Sequence, residues 1–290
     1  MEQVNWDEFK CRCSGIKKLM STKQGSAPIS ETGLKRFAEL EARVKPMTDA
    51  MKLEYAGLVE KRDAPPKVEL SDGCIEYLME VYSWKRFGMI PVTKEAMEVA
   101  QLEKGKRVEE DCRLLLNEVF NVEYKSFKER ISNDYLSGEV DLYLGNNIFE
   151  ATVIADIKAA FDHPSFLKKI NNGLSNGQRE QVAGYCDITG AGDGLVINCL
   201  VDNTSEDILD MKWKVAKKMQ AVTIESPDFL KEWEKWERSM IFSHIPKNER
   251  VYGLPVELFT DFERNAIYDR VKYCRDWLWK FDETYQKMNL

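Results

Sequence analysis

The apolar residues change period near residue 122, and that change restricts the chain to a layered fold of helices on a sheet. Before it, they recur at three- and four-residue spacing over residues 34–58, again from residue 71 (Ile75, Leu78, Met79, Tyr82), and from residue 93 toward 120. Ser71-Asp72 reads as one helix start and Thr93, with Glu95 and Glu98 after it, as another. Residues 122–128 then alternate, and residues 138–144 (GEVDLYL) set Val140, Leu142 and Leu144 on one face of a strand with Asp141 in its middle. After the turn signal Gly145-Asn146-Asn147, residues 151–159 (ATVIADIKA) are apolar enough for a central strand, and residues 194–201 (GLVINCLV) make a fourth. Helical spacing returns at 175–188, 207–221, 227–242 and 259–287. This order predicts an α/β fold of α+β layers, a central mixed sheet flanked by helices. One domain over residues 1–290 is expected: helical to about 120, a sheet core over about 121–201, and helical from 202 on.

Composition removes several function classes. With 43% hydrophobic and 31% charged residues the chain can bury a core. No apolar run approaches the roughly 20 residues that span a bilayer, and the acidic start lacks a signal-peptide core. A cytoplasmic protein without a membrane partner is expected. Of seven cysteines only Cys11 and Cys13 lie close, with no second pair to complete a zinc site, so they read as reduced and mostly interior. The two histidines, His163 and His244, stand in no nucleophile motif. Carboxylates and a metal ion are the better-supplied hydrolytic route. The net charge of −7 argues against nucleic-acid binding, although local charge counts for more than the sum. Trp213, Trp233, Trp236, Trp277 and Trp279 lie in helical stretches and read as packing residues rather than base-stacking platforms.

The chemistry concentrates in the strands. Asp156 and Lys158 are two apart and so share a strand face, with Ile157 opposite. A hairpin from the preceding strand can bring Asp141 beside them. Two carboxylates suit magnesium, which takes hard oxygen ligands and keeps several waters. Such an ion polarises a phosphate and generates hydroxide. A neighbouring lysine orients that water, stabilises developing negative charge and offsets the repulsion of the carboxylates. Gln181 and Tyr185, four apart, share a helix face. Glu109 follows Gly105, whose small size is expected to let the helix approach the sheet.

Taken in order, Gly105-x-x-x-Glu109, Gly138-Glu139-Val140-Asp141, Asp156-Ile157-Lys158 and Gln181-x-x-x-Tyr185 resemble the RecB-like branch of the PD-(D/E)XK nuclease superfamily, with its restriction-endonuclease-like core. More narrowly, Arg12-Cys13-Ser14 followed by Gly15-Ile16-Lys17-Lys18 is similar to the start motif of the lambda-exonuclease and viral-recombinase group. The resemblance runs from about Cys11 to Val201. It implies that Asp141, Asp156 and the Ile157 carbonyl ligate Mg2+, with Mn2+ as a substitute, and that Glu109 reaches the metal directly or through water. It implies that Lys158 positions the attacking water and that Gln181 orients Lys158 or the phosphate. Tyr185 touches DNA or only packs, and Ser14 contacts a terminal 5′-phosphate near Arg12 or only caps a helix. Asp156 departs from the glutamate common at this position; its shorter side chain shifts the metal.

The resulting expectation is a metal-dependent DNA exonuclease that resects duplex ends 5′ to 3′ in recombination or repair. It would work in a bacterial or phage-infected cell with a single-strand annealing protein as partner, and as a homo-oligomeric ring of three. An endonuclease of the same fold shares every metal residue. A non-catalytic DNA-binding or assembly module is the third reading.

Overall fold

A computed structural model of the chain describes residues 4–23, 31–43, 46–63, 69–89, 104–105 and 107–288. They divide into two compact units, residues 18–88 and the remainder.

The smaller unit holds α2 (Glu31–Glu41), α3 (Asp49–Asp63) and α4 (Asp72–Phe87); α1 (Ile16–Leu19) leads into it. The expected helix over 34–58 is thus two helices, because Pro46 between them has no N–H to donate and disfavours a helical residue before it. Phe37 stacks on Tyr55 at 5.2 Å, and Arg36 grips both oxygens of Glu54, joining α2 to α3. Ser71 caps α4 as expected, accepting from the Cys74 N–H at 3.1 Å. The proposed helix start at Thr93, with Glu95 and Glu98, lies outside the described residues.

The larger unit is built on a mixed sheet of β2 (Lys125–Ser126), β5 (Leu142–Leu144), β6 (Val153–Ala159), β7 (Asp193–Cys199) and β8 (Val251–Val256), in that spatial order. β6 is central as expected. It pairs antiparallel with β5 and parallel with β7, which pairs antiparallel with β8. A parallel pair needs a long crossover, supplied here by α6 (His163–Asn172) and α7 (Gln178–Thr189). A second sheet joins β1 (Cys11–Arg12), β4 (Leu136–Glu139) and β3 (Arg130–Ser132).

One face of the main sheet carries α5 (Glu109–Phe120). Val108, Cys112, Leu115 and Leu116 bury against Leu142, Ala155, Ile197, Cys199 and Val201. At roughly 2 kcal/mol for each large apolar side chain removed from water, this face supplies much of the cohesion. The other face carries α7. It packs so closely that a Cβ at Gly194 would lie 2.8 Å from Val182 Cγ1. Downstream, α8 (Ser205–Lys218) and α9 (Pro227–Arg238) enclose Val215, Phe229, Trp233 and Met240 in a satellite cluster, and α10 (Asp261–Met288) closes the unit. Trp233 packs as expected, whereas Trp213 and Trp236 are exposed. All seven cysteines are buried, and none is in a disulfide. Among the described residues no helix is long and apolar enough to cross a membrane.

Three expectations need correction. Residues 138–144 are not one strand: β4 belongs to one sheet and β5 to the other, with Asp141 at the bend between them. Residues 122–128 contribute only the two-residue β2. β8 went unrecognised because Gly253 and Pro255 break its alternation; Pro is tolerated there because the strand is at the sheet edge.

Candidate active site

Asp141 sits where the chain leaves one sheet for the other. Leu142 stands opposite Ala155, so a continued strand would extend the ladder toward Ile157. Instead the Asp141 carboxylate takes the bond: its Oδ2 accepts from the Ile157 N–H at 2.9 Å. Asp141 is thus held against β6 by its side chain, at a bend rather than in mid-strand.

Asp156 is almost wholly buried at 2% exposure, and Lys158 on the same face sets its Nζ 2.7 Å from Asp156 Oδ2. From α7, Gln181 Nε2 donates to Asp156 Oδ1 at 3.1 Å and to the Tyr185 hydroxyl at 2.9 Å. Both partners of the i, i+4 pair therefore face the site. Tyr185 is buried, and its ring fills the space that a Cβ at Gly138 would occupy, at 2.2 Å from Cε1. The glycine of Gly138-Glu139-Val140-Asp141 is thus required by a helix residue 47 positions downstream of it, counting 185 less 138.

The electrostatics are crowded. Burial, then repulsion from Asp156, pushes the Asp141 carboxyl up to about 7, while the Ile157 N–H and Lys158 act the other way. Burial also raises Asp156, against the pull of Lys158. Lys158 is raised on balance: burial opposes its charge, but Asp156 outweighs it. Burial raises Tyr185 as well, which keeps its phenol protonated.

Glu109 opens α5 close enough to Asp141 to raise it further, but its carboxylate is paired with Lys128. Gly105 does not bring the helix in by its size: no described atom lies within 4 Å of where its Cβ would be. Arg12 pairs with Ser137 across β1 and β4, and Ser14 lies inside the short turn Cys13–Gly15 rather than at its cap. Both side chains are exposed. That turn packs on α7, where a Cβ at Gly184 would meet Cys13 Sγ at 3.0 Å, and Lys17 pairs with Glu180, the neighbour of Gln181.

A divalent cation fits this donor set. Asp156 Oδ2 is buried without a hydrogen bond of acceptable geometry, since the Lys158 ammonium lies near it but off line. Asp141 uses one oxygen on Ile157 and leaves the other. Repulsion from Asp156 adds to the burial that raises Asp141, and an opposite charge between the two carboxylates would relieve it. No three carboxylate, histidine or cysteine side chains converge tightly enough among the described residues to share one ion. Two carboxylates are a donor set that magnesium takes together with water; Glu109 stands back, paired with Lys128.

Three lysines escaped the sequence reading. Lys128 pairs with Glu109. Lys104 is buried and donates to the Ala160, Phe161 and Val201 carbonyls, at 2.8, 3.2 and 3.4 Å, where β6 and β7 end. Lys169 on α6 donates to the Lys158 and Ala159 carbonyls, each at 3.3 Å. None belongs to a local motif; only tertiary structure brings them here.

Comparison with solved structures settles the fold. A phage-related exonuclease from Haemophilus somnus 129PT superposes with a TM-score of 0.58 at 15% identity, over 97% of this chain and 97% of that one. The chain has the fold of these exonucleases. An alkaline exonuclease from Laribacter hongkongensis gives a TM-score of 0.53 at 10% identity, over 97% of this chain and 93% of that one. Its complex with dAMP gives 0.50 at 10% identity, over 98% and 94%. No family model matches the sequence, and no curated protein matches it. The expected central mixed sheet flanked by helices, and the likeness to exonucleases of this fold, are thereby shown.

Proposed function

We propose that the chain is a divalent-metal-dependent DNA exonuclease. The observation that carries this reading is the meeting of Asp141 and Asp156 around the Ile157 main chain, with Lys158 and Gln181 on Asp156. It occurs in a chain whose fold neighbours are exonucleases. Asp141, Asp156 and the Ile157 carbonyl would hold magnesium or manganese, with Glu109 acting through water once Lys128 is displaced. The bound ion would supply Lewis acidity and a hydroxide nucleophile at neutral pH.

The chain's own groups do the rest. The Lys158 ammonium offsets the paired carboxylates and would position the attacking water and stabilise the charge that develops as the phosphodiester breaks. Gln181 holds Asp156 through one N–H and is itself held by Tyr185, so the buried carboxylate keeps one orientation. Tyr185 is a packing residue in this reading. The exposed Arg12 and Ser14, on a turn anchored to α7, would receive a terminal 5′-phosphate. That favours 5′ to 3′ resection of duplex ends for recombination or repair, in the cytoplasm, with a single-strand annealing protein as partner and a ring of three copies as the assembly. The dAMP complex of the Laribacter enzyme supports a mononucleotide product.

The test is digestion of end-labelled linear duplex, with and without 5′-phosphate, alongside covalently closed circles, in magnesium. The expected result is mononucleotide release from linear DNA only, faster with the 5′-phosphate, and lost by about a thousandfold or more in Asp156→Ala. Nicked circles would favour the endonuclease. Intact linear DNA from wild-type protein would remove the nuclease reading.

A further inference from the structure

The helices α8 and α9 each leave a tryptophan in solvent, Trp213 at 56% and Trp236 at 43% exposure. Their charges are arranged differently. On α9 acids and bases pair along the helix, Lys235 with Glu232 and Arg238 with Glu234. On α8 the acids of the first turn, Glu206 and Asp207, are taken by Arg107, which precedes α5, at 3.0 and 2.7 Å. The rest of α8 carries Lys212, Lys214, Lys217 and Lys218 against the single acid Asp210. Among the described residues none of these lysines forms an ion pair. In a chain of net charge −7 this is a local excess of cations. The helix dipole accounts for Lys217 and Lys218, which stand in the last turn, but its effect falls off before Lys212 and Lys214.

Trp213 stands in the middle of these cations. Leu209, Trp213 and Lys217 follow at four-residue steps, so they form one row on the helix surface. All three are exposed, as is Lys214 next to Trp213, whereas Val215 and Ala216 are buried in the satellite cluster. An aromatic ring open to solvent and flanked by amines suits a nucleic acid strand, with a base stacked on the ring and phosphates against the amines. A base inside a duplex has no free face, so the strand must be unpaired. The row also lies near the candidate active site. Phe161, just beyond the end of β6 that bears Lys158, packs into the same cluster as Val215 and Ala216, and Arg107 ties the first turn of α8 to the start of α5.

We infer that the exposed row of α8 binds single-stranded DNA, with Trp213 as the stacking platform and Lys212, Lys214 and Lys217 as the phosphate contacts. The inference rests on the nuclease reading and adds residues that none of the motifs contains. Removing one strand of a duplex leaves the other unpaired, and α8 would hold it beside the site.

The experiment uses the full chain with chelator, so that binding is measured apart from cleavage. Binding of a fluorescein-labelled oligothymidylate, and of an abasic strand of the same length, is followed by anisotropy over a potassium chloride series. Trp213→Ala is expected to weaken the oligothymidylate by about tenfold and to leave the abasic strand unchanged. Trp213→Phe should keep most of the affinity. Lys214→Gln and Lys217→Gln should each weaken both strands and lower the slope of log affinity against log salt by about 0.7. Trp236→Ala, on the self-paired α9, should change neither. Should Trp213→Ala not fold, the slopes of the two lysine variants carry the test, and slopes equal to wild type overturn the site. Unchanged affinity in Trp213→Ala, or equal loss on both strands, overturns the stacking site. If Trp213→Ala instead lowers the mass seen by light scattering while strand affinity stays the same, the face belongs to a second copy of the chain and the inference fails. Wild-type protein that digests linear duplex in magnesium but binds neither strand overturns the α8 site and leaves the nuclease reading standing. Wild-type protein that neither binds nor digests overturns both.

Discussion

On β6, Ala155, Ile157 and Ala159 face α5, whereas Asp156 and Lys158 face α7. Both faces are covered, and both come from one seven-residue strand. The α5 face is apolar and closely packed. The α7 face buries two carboxylates that repel each other and a lysine that only partly relieves them. Burial under the first is a source of stability; under the second it is a cost, tolerated where strain is part of function. The strand therefore stabilises the fold with its odd-numbered residues and sets up chemistry with Asp156 and Lys158.

The comparison breaks most readily from the apolar side. Ile197 is wholly buried against α5. Ile197→Ala should cost about 3 kcal/mol in denaturant unfolding while folded molecules keep their cleavage rate. If activity per folded molecule fell in proportion, the two faces would not be separable. A smaller loss tests the α7 side. Gly138→Ala must move the Tyr185 ring, at about 2 kcal/mol of overpacking. Because Tyr185 holds Gln181, cleavage should fall too, unlike in Ile197→Ala. An active, stable Gly138→Ala would show that Tyr185 positions nothing.

The smallest effect has the opposite sign. Asp141 is raised from 3.8 to about 7 in the fold. Between those values the native state keeps a proton that the unfolded chain releases, so metal-free stability falls as pH rises from about 4 to about 7. Asp141→Asn should flatten that slope and, after losing the carboxylate's stronger bond to Ile157, stabilise the metal-free protein at neutral pH by about 1 kcal/mol. Metal binding should vanish in the same variant. Thermal melts of wild type and Asp141→Asn from pH 4 to 8, with chelator, decide it; parallel pH profiles would refute the repulsion.

These contrasts explain how much was legible beforehand. Asp156 and Lys158 could be read as neighbours because a two-residue spacing fixes their common face in any strand. Gln181 and Tyr185 could be paired for the same reason on a helix. The position of Asp141 at a bend could not: GEVDLYL alternates smoothly across the break, and only the bond to Ile157 marks it. Gly138 carried a motif, but its reason lies in the ring of Tyr185, which no local pattern reveals. Lys169 looks in sequence like any lysine of an amphipathic helix, and only its bonds to the Lys158 and Ala159 carbonyls place it at the site.

Lys104 has a consequence for motion. Its ammonium joins the residues that leave β6 to the one that leaves β7. Neither strand can fray at that end without breaking the peg it shares with the other. Local opening there should involve both strands as one cooperative unit, with amides of Ala159 and Cys199 exchanging with solvent at a common rate. The end of the strand that bears Lys158 thus remains in place unless its neighbour opens too.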